Sequence, residues 1–273
     1  MRPISTGRRR PIWSDGQGLF ISALGEQLFE VEFSGIGTFR IDCARKLIHC
    51  SDAVDFGGSD TFHHLVFDQL VPRIRAHDGA FVLHAAAILR SEAAFLLVGV
   101  SGQGKSTLAA ALDRSGAELL GDDAAVLALA EGAVTARSIY RSLRLLPDSL
   151  QAVVGPERPS QPMAHYSAKR RLVEDARPAR GAVPLAAIFV LAPAGEAGEG
   201  VSFEPLQAPE ACMNLLRETF ALDPSDTARA ATRLQQASAV AERVPAFRLH
   251  YPRDYARLAE VAATVLDKVD MLR

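Results

Sequence analysis

The sequence predicts an α/β protein with a larger part at residues 80–273 and a smaller β-rich part, with one helix, at residues 1–79. Three observations predict this fold. A short apolar run, a glycine-rich loop and a helical pattern follow one another over 93–115. Further apolar runs alternate with amphipathic segments as far as the end of the chain. Before residue 60, short strand-like runs are separated by glycines that are typical of hairpins.

The glycine-rich loop reads Gly99-Val-Ser-Gly-Gln-Gly-Lys-Ser106, the G-x-x-x-x-G-K-S pattern of a Walker A phosphate loop. Because Gly102 and Gly104 lack a Cβ, the backbone N–H groups can approach an anion closely. The helix that follows adds free N–H donors and a positive dipole end. Lys105 brings a charge to the β- and γ-phosphates, and the Ser106 hydroxyl can ligate Mg²⁺. The predicted nucleotide-binding residues are Gly99, Ser101, Gly102, Gln103, Gly104, Lys105, Ser106 and Thr107. The alternative is a glycine-rich turn between a strand and a helix.

Composition places few constraints on function. Of the 273 residues, 48% are apolar and 23% are charged, which is ordinary for a soluble globular protein. The net charge of −2 gives no overall field that would attract nucleic acid or an anionic membrane, so we expect neither as a partner. The longest apolar region, 80–100, is broken at Arg90-Ser91-Glu92 and predicts two strands and a turn rather than a membrane span.

Cysteine usage and the first residues bear on the compartment. The three cysteines are too few and too scattered for a disulfide framework, which fits a reducing cytoplasm. No apolar run follows Arg8-Arg9-Arg10 within the distance of a secretory signal. The prediction is a cytoplasmic protein.

The N-terminal part reads as strands over 19–23, 27–33 and 39–41, and then one amphipathic helix over 61–76. A glycine-rich stretch at 57–60 precedes the helix, Pro72 kinks or ends it, and Gly79 suits its C-cap. This part either offers a strand edge to a peptide or covers the larger part.

The larger part contains a similar alternation. The predicted strands are 81–83, 85–89, 93–98, 117–120, 126–129, 134–138, 185–191, 201–206 and 246–251. The predicted helices are 107–115, 147–153, 209–220, 227–243 and 253–272. Residues 155–184 are rich in Pro, Ser, Arg and Ala and predict a surface excursion.

An acidic doublet, Asp122-Asp123, directly follows the predicted strand 117–120. If this strand and 93–98 are parallel neighbours joined by the helix, their carboxyl ends meet at one edge, where α/β proteins bind ligands. One carboxylate would then hold Mg²⁺, and the other would accept a proton as a general base. The alternative is a turn or a helix cap, which aspartate commonly provides.

Other polar residues allow two interpretations each. His84, between two apolar runs, is either a core histidine or a site residue. Lys169-Arg170-Arg171 either neutralises phosphate or an acidic peptide, or is a solvated charge run, and Arg248 and Arg253 leave the same choice. The His and Cys residues near 43–64 match no zinc spacing.

Three stretches together resemble the catalytic domain of the HPr kinase/phosphorylase family. They are Leu83-His84-Ala85-Ala86-Ala87, the phosphate loop, and Gly121-Asp122-Asp123, in this order. The resemblance implies a P-loop kinase core similar to phosphoenolpyruvate carboxykinase, with ATP and Mg²⁺ as cofactors. It implies Asp122 as the base that activates an acceptor serine, and Asp123 together with Ser106 on the Mg²⁺ side. It also implies His84 as a catalytic residue that orients Asp122, and Lys105 as a further catalytic residue.

The sequence also departs from the family pattern at one motif. The family's Glu-Ile-Arg-Gly stretch, which contributes a metal-binding glutamate and the phosphorylase function, has no counterpart here. The resemblance therefore carries neither the reverse reaction nor HPr as the substrate. Compact relatives accompany biosynthetic clusters for modified peptides, including lasso peptides, which implies a peptide serine as acceptor.

The sequence thus predicts an ATP-dependent serine kinase that acts on a peptide or protein. Two alternatives stay open: a small-molecule kinase, for instance on free serine, and a slow ATP-hydrolysing switch or assembly factor without an acceptor. A homo-oligomer is compatible with either.

Overall fold

The computed structural model describes residues 9–50, 59–130, 132–155, 157–172, 180–196 and 199–272. The first part of the predicted loop 57–60 and residues 173–179 of the predicted surface excursion lie outside these ranges.

The N-terminal part forms a five-stranded antiparallel sheet in sequential order. Its strands are β1 (Arg10–Ser14), β2 (Leu19–Ala23), β3 (Leu28–Phe33), β4 (Gly37–Asp42) and β5 (Leu47–Cys50). The three predicted strands are confirmed as β2, β3 and β4, in which apolar residues such as Phe39 and Ile41 alternate with less buried ones. The prediction missed β1 and β5, because both lie at the edges and lack a regular alternation of apolar residues.

One continuous helical stretch follows the sheet. It consists of α1 (Ser59–His63), a π-helical segment (His64–Leu70) and α2 (Val71–His77). The π segment ends next to Pro72, whose ring and missing N–H disfavour regular α-helical bonding with the preceding turn. The helix therefore continues past Pro72. The predicted C-cap at Gly79 is confirmed by its positive φ of 96° and by its N–H, which donates to the carbonyl of Ala76.

The remaining elements follow the predicted alternation. The strands are β6 (Phe81–Leu83), β7 (Ala85–Arg90), β8 (Ala93–Val98), β9 (Glu118–Gly121), β10 (Ala125–Ala130), β11 (Ala133–Ser138), β12 (Arg144–Leu145), β13 (Ser160–Pro162), β14 (Arg170–Leu172), β15 (Val183–Leu191), β16 (Ser202–Pro205) and β17 (Ala246–His250). The helices are α3 (Lys105–Arg114), α4 (Pro147–Ser149), α5 (Ala208–Arg217), α6 (Thr227–Ala241) and α7 (Leu258–Met271), with a π segment at Leu150–Val154 and 3₁₀ turns at Ala194–Glu196 and Tyr255–Arg257.

A mixed nine-stranded sheet lies between two layers of helices, so this part of the chain is α/β. Alternate residues of β8 point to opposite faces. Phe95 and Leu97 belong to the core under α3 and α7, whereas Leu96 and Val98 belong to the core under α5 and α6. Burial on both faces explains why this strand reads as a continuous apolar run.

The expectation that β8 and β9 are adjacent parallel strands is wrong. The strand β7 lies between them and pairs antiparallel with both. The physical reason is local: the tight turn after Arg90 folds β7 and β8 into a hairpin, which occupies the position beside β8. Because β8 and β9 each run opposite to β7, their carboxyl ends still share one edge of the sheet, together with the start of β7.

The expectation of a surface excursion over 155–184 is wrong for 160–172. Here β13 and β14 join β12 in a small three-stranded antiparallel sheet. Met163, Ala164 and Leu172 are buried. The interpretation failed because these strands have three residues or fewer and carry arginine, proline and serine.

Within the described ranges, every helix is too short or too polar to cross a bilayer.

The junction between β9 and the acidic doublet leaves room for hydrogen only. A Cβ built on Gly121 would lie 1.9 Å from Ser138 Oγ and 2.6 Å from the carbonyl oxygen of Tyr140. The residue before Asp122 is therefore glycine because β9 passes this close to the chain after β11.

We expect Gly121→Ala to lower the free energy of unfolding by about 1–3 kcal/mol, because the added methyl overlaps Ser138 and a backbone carbonyl. Chemical denaturation monitored by circular dichroism measures this. Gly181→Ala is the matched control, since a Cβ there meets nothing within 4 Å. Equal stability of the two variants would contradict the packing argument.

Candidate active site

The phosphate loop connects β8 to α3, as predicted. Gly104 is the N-cap of α3 and has a φ of +82°, a region that favours glycine. A Cβ on Gly104 would also lie 3.0 Å from Tyr251 Oη and 3.1 Å from Arg253 Nη1. The first N–H groups of α3 have no partner within the helix and point out of its N-terminus. The loop therefore has the geometry that the motif predicts for an anion-binding cradle.

Arg253 fastens this loop to the rest of the sheet. Its Nη1 donates to the carbonyl oxygen of Gln103 at 2.5 Å, and its Nη2 donates to that of Ala192 at 2.6 Å. The guanidinium also lies 3.9 Å from the centre of the Tyr251 ring. Of the two interpretations of Arg253, the structure therefore places it at the site, whereas Arg248 pairs with Glu204 and Glu210 elsewhere.

Lys105 is almost fully buried, with 4% of its surface exposed. Its Nζ donates to the carbonyl oxygen of Gly99 and lies 3.4 Å from that of Val100. Burial lowers the pKa of Lys105, and the nearby carboxylates of Glu218, Asp123 and Asp122 act in the opposite direction. An additional negative charge near Nζ would therefore stabilise the buried, charged form of Lys105.

Asp122 is buried under the same edge, with 1% of its surface exposed. The hydroxyl of Ser106, in the phosphate loop, lies close enough to this carboxylate to favour its ionised form. The Oδ2 atom of Asp122 has no hydrogen-bond partner among the described residues. Burial, and next the negative charge of Asp123, raise the pKa of Asp122 to about 6.

Asp123 has the opposite electrostatics. Its carboxylate pairs with Arg144, and its Oδ1 lies 3.5 Å from His84 Nε2. Burial acts to raise the pKa of Asp123, but the positive charges around it, led by Arg144, hold this pKa well below its usual range. Adjacent carboxylates thus have widely separated pKa values.

His84 occupies the turn between β6 and β7, so the antiparallel pairing of β7 brings it to the edge that carries the doublet. Burial lowers the pKa of His84 to about 4, against the opposing charge of Asp123. The imidazole is therefore neutral near pH 7. The prediction placed His84 as a partner of Asp122, whereas the contact in the structure is with Asp123.

A buried charge network continues behind the doublet. Arg144, with 1% of its surface exposed, pairs through Nη2 with Asp123 and through Nη1 with Asp68. Asp68 also accepts from His64 Nδ1 at 2.6 Å and lies 3.6 Å from Arg171 Nη2. The network links the helical stretch of the N-terminal part to the acidic doublet.

The loop, Asp123 and His84 line one cleft with a volume of about 290 Å³. The hydroxyls of Thr107, Ser149 and Tyr255 also line this cleft and form a hydrogen-bonded chain that ends at Asp148. The other residues that line the cleft are Arg144, Leu145, Leu146, Lys169, Ala194, Tyr251, Arg253, Asp254 and Leu258.

The structure brings together most of the predicted site residues. Those that line the cleft are His84, Ser101, Gly102, Gln103, Gly104, Lys105, Ser106, Thr107 and Asp123. Gly99 and Asp122 lie outside the lining, at the ends of β8 and β9. The predicted geometry of a glycine cradle and an acidic doublet at one edge of the sheet is confirmed.

The interpretation of 169–171 as one charge run is wrong, because the three residues have three environments. Lys169 lines the cleft, Arg170 donates to Ser160, and Arg171 is buried near Asp68. Adjacent residues of a strand face opposite ways, which separates Arg170 from Arg171.

Sequence reasoning missed Asp68 and assigned no role to Arg144. Each carried a signal. Asp68 lies three residues after Leu65 on the apolar face of the helix, and Arg144 lies between Leu143 and Leu145. A charged residue within an apolar pattern indicates a buried partner.

The oxygen donors at this edge suit Mg²⁺. The ion prefers a few carboxylate or hydroxyl oxygens and completes its shell with water and substrate phosphates. The unpartnered Oδ2 of Asp122, the carboxylate of Asp123 and the hydroxyl of Ser106 provide such donors. Among the residues described, no three His, Cys, Asp or Glu side chains are placed to enclose a metal by themselves.

Comparison with known proteins adds little. No family model matches the chain. No curated protein matches it either. Among solved structures, the chain is similar to the Hpr(Ser) kinase/phosphatase from Coxiella burnetii, with a TM-score of 0.38 and 11% sequence identity, over 70% of this chain and 96% of that one. Likeness of this degree assigns neither a family nor a function.

The two carboxylates of the doublet should affect stability in opposite directions. A raised pKa means that ionised Asp122 destabilises the folded state as the pH rises through about 6. A lowered pKa means that ionised Asp123 contributes stability above its unfolded value, near 4, and that this contribution is lost as the pH falls.

At pH 7.5 we therefore expect Asp122→Asn to raise the free energy of unfolding by about 1–3 kcal/mol, or the melting temperature by a few degrees. Asp123→Asn should lower it. Differential scanning calorimetry at pH 5 and pH 7.5 measures both, and the gain from Asp122→Asn should shrink at pH 5. Two variants that are destabilised alike would contradict the electrostatic assignment.

Proposed function

We propose that the protein is an ATP-dependent kinase that transfers the γ-phosphoryl group to a serine-type hydroxyl of a peptide or protein. One observation carries the proposal: Asp123 and the phosphate loop line a single cleft, and Asp122, the buried neighbour of Asp123, lies close to Ser106 of that loop. A phosphate cradle alone supports nucleotide binding. A cradle with two carboxylates of different basicity supports transfer to an acceptor.

Nucleotide binding rests on the loop and on α3. The free N–H groups at the start of α3 and the charge of Lys105 suit the β- and γ-phosphates. On binding, Nζ of Lys105 would exchange the carbonyl oxygen of Gly99 for a phosphate oxygen. Arg253 keeps the backbone of Gln103 in place, so little reorganisation is needed.

Magnesium would be held by Ser106 and Asp123, and its chemistry is to neutralise charge on the phosphates. Asp123 suits a metal because its lowered pKa keeps it ionised throughout the working range. Asp122 suits the base because a carboxylate with a pKa near 6 can accept a proton at neutral pH.

The transfer step is an in-line displacement at the γ-phosphorus. The acceptor hydroxyl oxygen forms a bond to the γ-phosphorus as the bond to the β–γ bridging oxygen breaks. The hydroxyl proton passes to the base, and ADP leaves. Neutral His84 holds Asp123 from the side of β7, and positioning with charge compensation supplies most of the rate enhancement.

One observation favours the opposite assignment of roles to the two carboxylates of the doublet. Asp123 lines the cleft, whereas Asp122 is buried close to Ser106, the predicted metal ligand. A base must come within hydrogen-bond reach of the proton that it removes. In this second candidate mechanism Asp123 is the base and Asp122 is on the metal side, and kinetics with varied Mg²⁺ separates the two.

Two other functions use the same site. A kinase for free serine would share every contact described above, because only the acceptor differs. A slow ATP-hydrolysing switch would use water in place of the acceptor. The fate of the γ-phosphate distinguishes all three.

Incubation with Mg²⁺ and ATP labelled in the γ-phosphate should place the label on a serine-containing peptide. Label on free serine would indicate the small-molecule kinase, and label only in inorganic phosphate would indicate the switch. Lys105→Ala should lower turnover by at least about a hundredfold, because the site loses its charged phosphate ligand. An active Lys105→Ala variant would exclude transfer at this loop.

We expect Asp122→Asn to abolish transfer and to leave ATP affinity and the Mg²⁺ concentration for half-maximal rate unchanged. Asp123→Asn should raise that Mg²⁺ concentration. Steady-state kinetics over a Mg²⁺ titration, with ATP binding by calorimetry, measures both. The reversed pattern would assign the base to Asp123, and a wild-type rate for Asp122→Asn would end its assignment.

A further inference from the structure

We infer that Asp68, in the N-terminal part of the chain, is a positioning residue for phosphoryl transfer, acting on Asp123 through Arg144. The inference rests on the proposed function. It gives the N-terminal part a role in the chemistry. Neither of the two functions considered for this part from the sequence, binding a peptide at a strand edge or covering the larger part, would require such a role.

The first step concerns the place of Asp68 in the helical stretch. Asp68 belongs to the π segment and is buried, with 2% of its surface exposed. Its helical neighbours Leu65 and Leu70 are fully buried in the core of the N-terminal sheet. The carboxylate is therefore carried into the interior on an apolar helix face, at a substantial desolvation cost.

The second step concerns what compensates the charge of Asp68. The guanidinium of Arg144 pairs with it directly, His64 Nδ1 lies 2.6 Å away, and Arg171 Nη2 lies 3.6 Å away. The carboxylates of Asp68 and Asp123 lie opposite the guanidinium charges of Arg144 and Arg171. The network therefore contains members from both parts of the chain.

The third step is the division of the guanidinium of Arg144. Nη1 pairs with Asp68 and Nη2 pairs with Asp123, so the rigid plane of the guanidinium is held at two points. Its Nε is buried and has no hydrogen-bond partner among the described residues. Apart from its two carboxylate partners, the guanidinium donates through Nη2 to Tyr140 Oη at 3.3 Å. Without Asp68, the plane loses one of its two charged anchors.

The fourth step is the rigidity of the helix that carries Asp68. The hydroxyl of Thr61 accepts from the backbone N–H of His165, in the segment that leads to Lys169 of the cleft. Together with the buried side chains of Leu65 and Leu70, this hydrogen bond gives Asp68 a defined position.

The experiment compares Asp68→Asn with the wild type, and Asp78→Asn is the matched control. Each change removes one carboxylate, Asp68 within the helical stretch and Asp78 directly after it, but Asp78 pairs with the exposed Lys46 rather than with a member of the network. We expect Asp68→Asn to lower kcat by about tenfold to a hundredfold, because Asp123 is misplaced. The KM for ATP should stay within about twofold, and Asp78→Asn should keep the wild-type kcat.

A double variant tests the route through Arg144. If Asp68 acts only through this arginine, Asp68→Asn should not slow the Arg144→Gln variant any further. Effects that multiply would overturn the inference. So would a kcat within twofold of the wild type for Asp68→Asn, or a parallel loss of kcat and ATP affinity, which a purely structural role would produce.

A crystal structure of Asp68→Asn tests the inference without an activity measurement. It therefore also serves if the Arg144→Gln variant does not fold. We expect the guanidinium of Arg144 to have turned away from Asp123, and an unchanged pair would overturn the inference. Failure of the proposed function has a different signature: the wild type would transfer no label to any acceptor. If it only hydrolyses ATP, the same comparison of kcat is made on hydrolysis.

Discussion

The structure around the cleft depends on one buried guanidinium. Arg144 has almost no exposed surface, and it lies between two carboxylates that come from different parts of the chain, Asp68 and Asp123. None of these charges could be buried alone, because removing an ion from water costs far more than one fold can offset. Each is stable there only because the other two are present. The helical stretch, the strand β12 and the doublet are therefore constrained to one arrangement.

The sheet supplies the second constraint. Because β7 is antiparallel to both β8 and β9, the phosphate loop, the doublet and His84 emerge at a single edge, although they are separate in sequence. Helices cover both faces of the sheet, so this edge is where polar groups can meet solvent and substrate. The tight fit at Gly121 carries Asp122 into the interior at the end of β9. Strand order thus converts three short motifs into one cleft.

The electrostatics of the doublet show a compromise between stability and chemistry. Two adjacent carboxylates in one buried site cannot both be strongly acidic. The charge of Arg144 stabilises the ionised form of Asp123, while burial makes Asp122 the more basic of the two. Such a separation of pKa values gives one site both a permanent negative charge and a proton acceptor. A group with a perturbed pKa inside a cleft is a common mark of function.

Local patterns determined the pieces of this protein. The apolar run, the glycines and Lys105 specified strand, loop and helix, because each depends on neighbours within a few residues. The strands at 126–129 and 134–138 and the kink-prone Pro72 were predictable for the same reason. The tertiary structure alone decided that β7 separates β8 from β9, that Arg171 is buried while Lys169 lines the cleft, and that Asp68 meets Arg144. These contacts join residues that are far apart in sequence, and only the burial of charge and the order of strands fix such pairings.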